Sequence, residues 1–411
     1  MVRIRRSVLF LIILINNPLF SQDSLQIKQL EKRISDLEKN FTQEELKNLH
    51  DEAAKAAEIE ADDKEMKIFK GGDRALQALN PEISVAMDAF GQMIFNKDYF
   101  TEDMRSGANF RVAELQFQST LDPFSTTKVI IEFKQEEVEF AEAYLTWNQF
   151  IQNLSLTAGK FRQQFGVLNR WHEHSLDQYD FPLALKTLLG EEGLNQIGLS
   201  IEWLIPSLIA DANDLTIQIT NGQNEHLFAG DFYSFPSTLA RLKNFFDLSA
   251  ASYVEVGFTG MLGKNNIRGF DENGIKILES TRWTSLAGLD LTFLWEPVRQ
   301  AKYRSFLWRS ELYYVDKEPD ITAFGGYTNI EYKFNRQWLA GIRFDYTQPF
   351  EHENSNKYIY QFVPYVTWWQ SPWVRLRFQV NFAGGKSVGD FDPVARLQIT
   401  WAIGPHKHER Y

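Results

Sequence analysis

The sequence predicts an all-β transmembrane barrel of about 16 antiparallel strands over residues 82–411, behind a signal peptide and a short helical segment. Three observations predict it: a hydrophobic period of two, connections that alternate between short and long, and tryptophans gathered at the short connections. The composition agrees. The 411 residues include 33 Phe, 15 Tyr and 11 Trp but no Cys, so neither a disulfide framework nor a thiolate site is available. Mean hydropathy is -0.33, too polar for a bundle of membrane helices yet suited to strands that alternate lipid-facing and lumen-facing residues. Lys and Arg number 43 against 54 Asp and Glu, a net charge of -11 that argues against nucleic acid as a partner.

The N-terminus reads as an address. Arg3, Arg5 and Arg6 precede the apolar run Val8 to Ile15, and Asn16, Asn17 and Pro18 lead to a cleavage point near Ser21. The run is short for a spanning helix, so residues 1–21 are expected to be a signal peptide rather than a membrane anchor. Over 22–60, Ile27, Leu30, Ile34, Leu37 and Phe41 recur at spacings of 3 and 4, a short coiled-coil seam with charges between. It fits either a periplasmic oligomerisation stalk or an amphipathic helix packed on the protein's own body. Gly71 and Gly72 mark a linker over 61–81.

From residue 82 the period becomes two. In WVRLRFQVNF, Val374, Leu376, Phe378, Val380 and Phe382 alternate with Arg375, Arg377, Gln379 and Asn381. The same pattern runs through ARLQITWAI, QWLAGIRFDY and NQIGLSIEWLI. Strands are expected at 83–92, 108–119, 126–133, 138–147, 153–162, 196–205, 213–220, 239–248, 252–262, 282–295, 303–315, 323–334, 337–347, 357–369, 373–383 and 394–403. The connections after even-numbered strands are short, among them STLDPF, SAA, NR and QSP. Those after strands one, five, seven and nine are long, and KQEE after strand three fits this parity poorly. A soluble sandwich predicts no such parity, whereas a membrane barrel has a turn rim and a loop rim. Trp147, Trp203, Trp295, Trp338, Trp368, Trp369, Trp373 and Trp401 fall beside the short turns, as an interfacial belt of indoles would.

The segment LSLTAGKFRQQFGVLNR, its returning strand GEEGLNQIGLSIEWLIP and the closing strand RLQITWAIGPH resemble the porin-type outer-membrane barrels of Gram-negative bacteria. The layout of signal peptide, helical segment and barrel is similar to that of the phosphate-selective porin group. One departure is the tail beyond Gly404, which separates Tyr411 from the last strand. The resemblance implies a channel for passive diffusion of small hydrophilic solutes or ions, with outer-membrane lipid around it. A homo-oligomer, such as a trimer joined through the N-terminal helix, is a further expectation. The other reading is a structural or adhesive barrel whose helix mediates oligomerisation or cell-wall contact.

The strand register places Arg309, Arg343, Arg375, Arg377 and Arg396 on the lumen face of the C-terminal half. Glu114, Glu132, Glu142, Glu202 and Glu255 take the same face in the N-terminal half. Opposed walls of charge set up a field across a channel; the other reading is that these charges pair with Asp345, Glu311 and one another. The connection 163–195 follows strand five, and the resemblance implies that it folds inward as a constriction. It carries Arg170, His172, Glu173, His174, Asp177 and Asp180, and Leu183 to Leu189 is apolar at helical spacing. His172 and His174 are weak metal candidates, and His406 and His408 weaker still, because two ligands do not make a closed site. No metal or other cofactor is expected. No G-x-S-x-G, P-loop or H-E-x-x-H motif occurs and every histidine falls outside the strands, so no enzyme is expected.

Overall fold

The computed structural model describes residues 81–95, 106–206, 209–224, 226–228, 235–270, 276–318, 321–350, 357–386 and 389–404. The expected signal peptide, the helical segment, nearly all of the linker and the tail with His406 and His408 lie outside these residues. The strands are β1 Glu82–Ile94, β2 Gly107–Asp122, β3 Ser125–Phe133, β4 Val138–Ile151, β5 Leu154–Arg162, β6 Asn195–Ile205, β7 Ala212–Thr220 and β8 Ser237–Ser249. They continue as β9 Ser252–Phe270, β10 Lys276–Trp295, β11 Ser305–Lys317, β12 Ile321–Lys333, β13 Trp338–Thr347, β14 Ile359–Ser371, β15 Val374–Gly385 and β16 Gly389–Ile403. Each pairs antiparallel with its neighbours, and β1 pairs with β16, so the sheet closes on itself. Closure leaves no unpaired edge, the condition for a sheet to stand in lipid.

Alternation sorts the side chains. On β13, Arg343, Asp345 and Thr347 are buried inside while Ile342 is 46% exposed on the outer face. On β15, Arg375, Arg377, Gln379 and Asn381 are buried inside and Phe378 is 50% exposed. On β6, Ile197, Leu199, Ile201 and Trp203 face out, with Gln196 and Ser200 inside. A one-residue slip of β15 would turn two arginines to lipid at about 2–4 kcal/mol each near the midplane, so the register is strongly specified.

The turn rim is built from short polar caps. Asp122 accepts the N–H groups of Phe124 and Ser125, both at 2.8 Å, and Asn335 does the same for Gln337 and Trp338. Trp203, Trp338 and Trp373 are exposed at this rim, and the Trp338 and Trp368 rings lie 6.3 Å apart. Two expectations are corrected. The long connection after strand nine is instead a β-hairpin: β9 and β10 keep pairing out to Phe270 and Lys276. Apolar alternation fades after Leu262 and before Trp283, but hydrogen bonding continues, so the period-two signal ends early. Trp369 belongs to the lumen rather than to the belt, with the Arg375 guanidinium 5.4 Å from its ring. It continues the inward series Val363, Tyr365 and Thr367 on β14.

Candidate functional site

The chain from Gln163 to Leu194, between β5 and β6, runs inside the barrel. Its apolar part is the helix α1, Leu183–Leu189, whose Ala184, Leu185, Leu188 and Leu189 are buried. The helix packs on β11, β12 and β13. The wall meets it with Leu286, Tyr313, Val315, Ala323 and Tyr327, inward residues that break the polar-inside rule and form a core with the loop. Gly325 permits the approach: a Cβ there would lie 2.9 Å from that of Ala184. Each fully buried leucine contributes about 1.5–3 kcal/mol, so α1 is a firm attachment.

Glu311 holds the start of the loop. Its carboxylate is fully buried and accepts four hydrogen bonds, from Tyr313 and Tyr327 hydroxyls at 2.8 and 2.6 Å and from Val167 and Leu168 N–H groups at 3.2 and 3.0 Å. Gly166, at φ +64°, lies against this carboxylate, where a Cβ would collide with it.

Arginines of the wall grip the middle of the loop. Arg309 pairs with Asp177 at 2.9 Å and lies over the Trp171 ring. Arg343 pairs with Asp345 at 2.9 Å and with Asp180 at 3.2 Å, and also donates to the Asp180 carbonyl. Arg375 donates to the carbonyl of His174, and Arg377 to that of Leu176 at 2.7 Å. Tyr179 sits between two guanidinium groups, with Arg111 at 4.5 Å and Arg396 at 4.7 Å from its ring. Burial raises the Tyr179 hydroxyl to about 12. Burial also opposes the charge of Asp180, but Arg343 and Arg396 outweigh it and hold the carboxyl down at about 2.

Carboxylates gather on the other side. His172 Nδ1 lies 3.0 Å from Glu114 and 3.1 Å from Glu132, while Nε2 lies 3.3 Å from Glu142. Burial disfavours a charged His172, yet these three neighbours outweigh it and the imidazole titrates well above its ordinary value. His174 Nδ1 approaches Glu114 at 3.3 Å. Glu173 is half-buried, 3.5 Å from Arg111. Glu202 accepts from Gln164 at 2.6 Å.

Two polar cavities flank the loop. One, of about 280 Å³, is lined by Lys128, Glu142, Arg162, Arg170 and Glu202 among others. The second, of about 210 Å³, is lined by Glu255, Arg309, Glu331, Lys333, Arg375 and Arg377 among others.

All ten charged wall residues expected on the lumen face turn inward, but several meet the loop rather than open space: Arg343 and Glu114 are at most 1% exposed. Sequence reasoning missed Arg111, which pairs with Asp88 and donates to the Tyr179 carbonyl. A register shift between Asp88 and Ala89, where β1 meets β2, breaks the alternation that would have flagged it.

No family model matches the chain. It is 27% identical over 264 residues to an uncharacterized protein of Aquifex aeolicus (strain VF5), an overlap of 59% of this chain. The chain spans about half, 55%, of that relative's length. Among solved structures, OprB of Pseudomonas putida aligns with a TM-score of 0.55 at 10% identity, over 80% of this chain and 96% of its own. The fold resembles that of known outer-membrane porins. An anion-selective porin from Comamonas acidovorans gives 0.54 at 9% identity, over 79% and 99% of the two chains. OmpT of Vibrio cholerae, an outer membrane protein, gives 0.53 at 10%, over 79% and 99%. None of these barrels is named for a catalytic activity.

Proposed function

We propose that the protein is a non-enzymatic channel in the outer membrane of a Gram-negative bacterium, passing small hydrophilic solutes or ions by diffusion. The observation that carries this reading is a polar loop held inside a polar-lined barrel by charge pairs to the wall, with a polar cavity on either side. In this reading the loop is the constriction. The ten wall charges and Arg170, His172, Glu173, His174, Asp177 and Asp180 set the field that a solute crosses. Liposome swelling is the direct test: sugar-sized solutes should enter vesicles carrying the protein, and absence of flux would favour a structural barrel.

Phosphate-like anions are the finer expectation, supported by the layout resemblance and by Arg377. That side chain is 2% exposed beside the second cavity. The hydrogen bonds it makes go to neutral groups, Thr367, Gln398 and the Leu176 carbonyl. The Asp177, Asp88 and Glu331 carboxylates act on it without a direct hydrogen bond, which leaves the guanidinium able to receive an anion. Arg377→Gln should shift the reversal potential in a salt gradient toward cations with little change in conductance. An unchanged reversal potential would assign Arg377 to holding the loop alone. The expected helix over 22–60 would stand in the periplasm and could join barrels as a trimer; its removal should then yield monomers in cross-linking.

A further inference from the structure

The carboxylates around His172 make a second kind of site. Glu114 on β2, Glu132 on β3 and His172 on the loop each present one atom, and the three atoms lie within 4.8 Å of one another. His172 Nδ1 is 3.0 Å from Glu114 Oε2 and 3.1 Å from Glu132 Oε1. Ligands on neighbouring corners of a tetrahedral zinc ion stand about 3.3 Å apart, given bonds of roughly 2.0–2.2 Å. Two edges of the triangle thus lie within a few tenths of an ångström of that spacing, and the third is below 4.8 Å.

Two independent features point to a cation. Glu114 Oε2 belongs to a side chain 1% exposed and faces two imidazole nitrogens, His172 Nδ1 at 3.0 Å and His174 Nδ1 at 3.3 Å, so it is a buried carboxylate oxygen aimed at the triangle. Behind the ring, Glu142 Oε2 stands 3.3 Å from Nε2. A carboxylate there accepts the Nε2 proton, fixes the tautomer and turns the Nδ1 lone pair toward the two other carboxylates, the arrangement found behind metal-bound histidines. Glu142 is itself held by the Arg162 N–H at 3.1 Å and by Lys128 at 3.5 Å. Imidazole with carboxylates suits zinc and similar first-row ions and is poor for calcium or magnesium.

We propose that Glu114, Glu132 and His172 form a site for a divalent first-row metal ion, oriented by Glu142, with water completing the coordination. The ion would bridge two wall strands, β2 and β3, to the loop. The two histidines drew attention in the sequence, but of the two only His172 joins the triangle; the other ligands lie about 40 and 60 residues upstream.

The test is calorimetric titration of zinc chloride into the full-length barrel in zwitterionic detergent at pH 7.5. Binding here is read without any channel activity, so it can fail while the diffusion reading stands, and the reverse. One equivalent should bind. His172→Ala should abolish this binding, and Glu142→Gln should weaken it about 10–100-fold while leaving the stoichiometry at one. Cobalt(II) absorption gives a second readout, with visible bands in the parent that His172→Ala removes. Absence of stoichiometric binding overturns the proposal. So does binding that survives His172→Ala, as attachment to the His406 and His408 tail would.

Discussion

Deleting residues 172–185 is expected to raise single-channel conductance severalfold and to move ion preference toward anions. The segment carries the Asp177 and Asp180 carboxylates that Arg309 and Arg343 hold, and the carbonyls that receive Arg375 and Arg377. Its removal uncovers these four side chains on one wall. It also removes three carboxylates, Glu173, Asp177 and Asp180, and no Lys or Arg, so the lumen gains positive charge. Arginines left without partners in a dry interior would cost several kcal/mol each, but water entering the vacated lumen solvates them, so the barrel is expected to fold. Planar-bilayer recordings in symmetric and graded salt give both quantities. Conductance equal to the parent's would show that the loop is not the constriction.

Glu311→Gln is expected to release the start of the loop. Four donors converge on the carboxylate, and glutamine offers one accepting oxygen and an amide that is itself a donor. At least one buried donor then faces another donor, at a cost of about 1–3 kcal/mol. Amide exchange at Val167 and Leu168, whose N–H groups end on Glu311, should accelerate about 10–100-fold on that scale, while the amides of β11 and β12 stay protected. Equal protection in parent and variant would mean that α1 alone seats the loop.

The barrel was legible because a closed sheet with an apolar outer face and a polar inner face imposes a periodicity of two on its strands. Arg343 beside Ile342, or Arg377 beside Phe378, cannot exchange faces cheaply. The parity of the connections followed from the same geometry. Legibility ended where the constraint ended. β9 and β10 lose their apolar alternation while still paired, and the irregularity opposite Asp88 turns Arg111 inward without a mark in residue type. Inside the lumen, a leucine such as Leu286 looks the same in sequence whether it faces lipid or α1. The loop's helix showed in the spacing of Leu183 to Leu189. Its partners did not, because contacts such as Tyr179 with Arg396 or Leu168 with Glu311 join residues that no local pattern relates.

Tyr179 also bears on the order of assembly. Arg111 comes from β2 and Arg396 from β16, so the slot between them spans the seam where the first strand meets the last. Across the same seam Gln398 donates to Asp88, 310 residues away in sequence, at 2.6 Å. Joining the two ends of the chain is the most distant pairing in the sheet and carries the largest chain-closure cost, which places it late among folding events. Until it happens, only half of the slot exists. The loop can dock its helix on β11 to β13 beforehand, but its tyrosine can seat only in a completed cylinder, which makes the ring's environment a built-in record that the last seam has zipped.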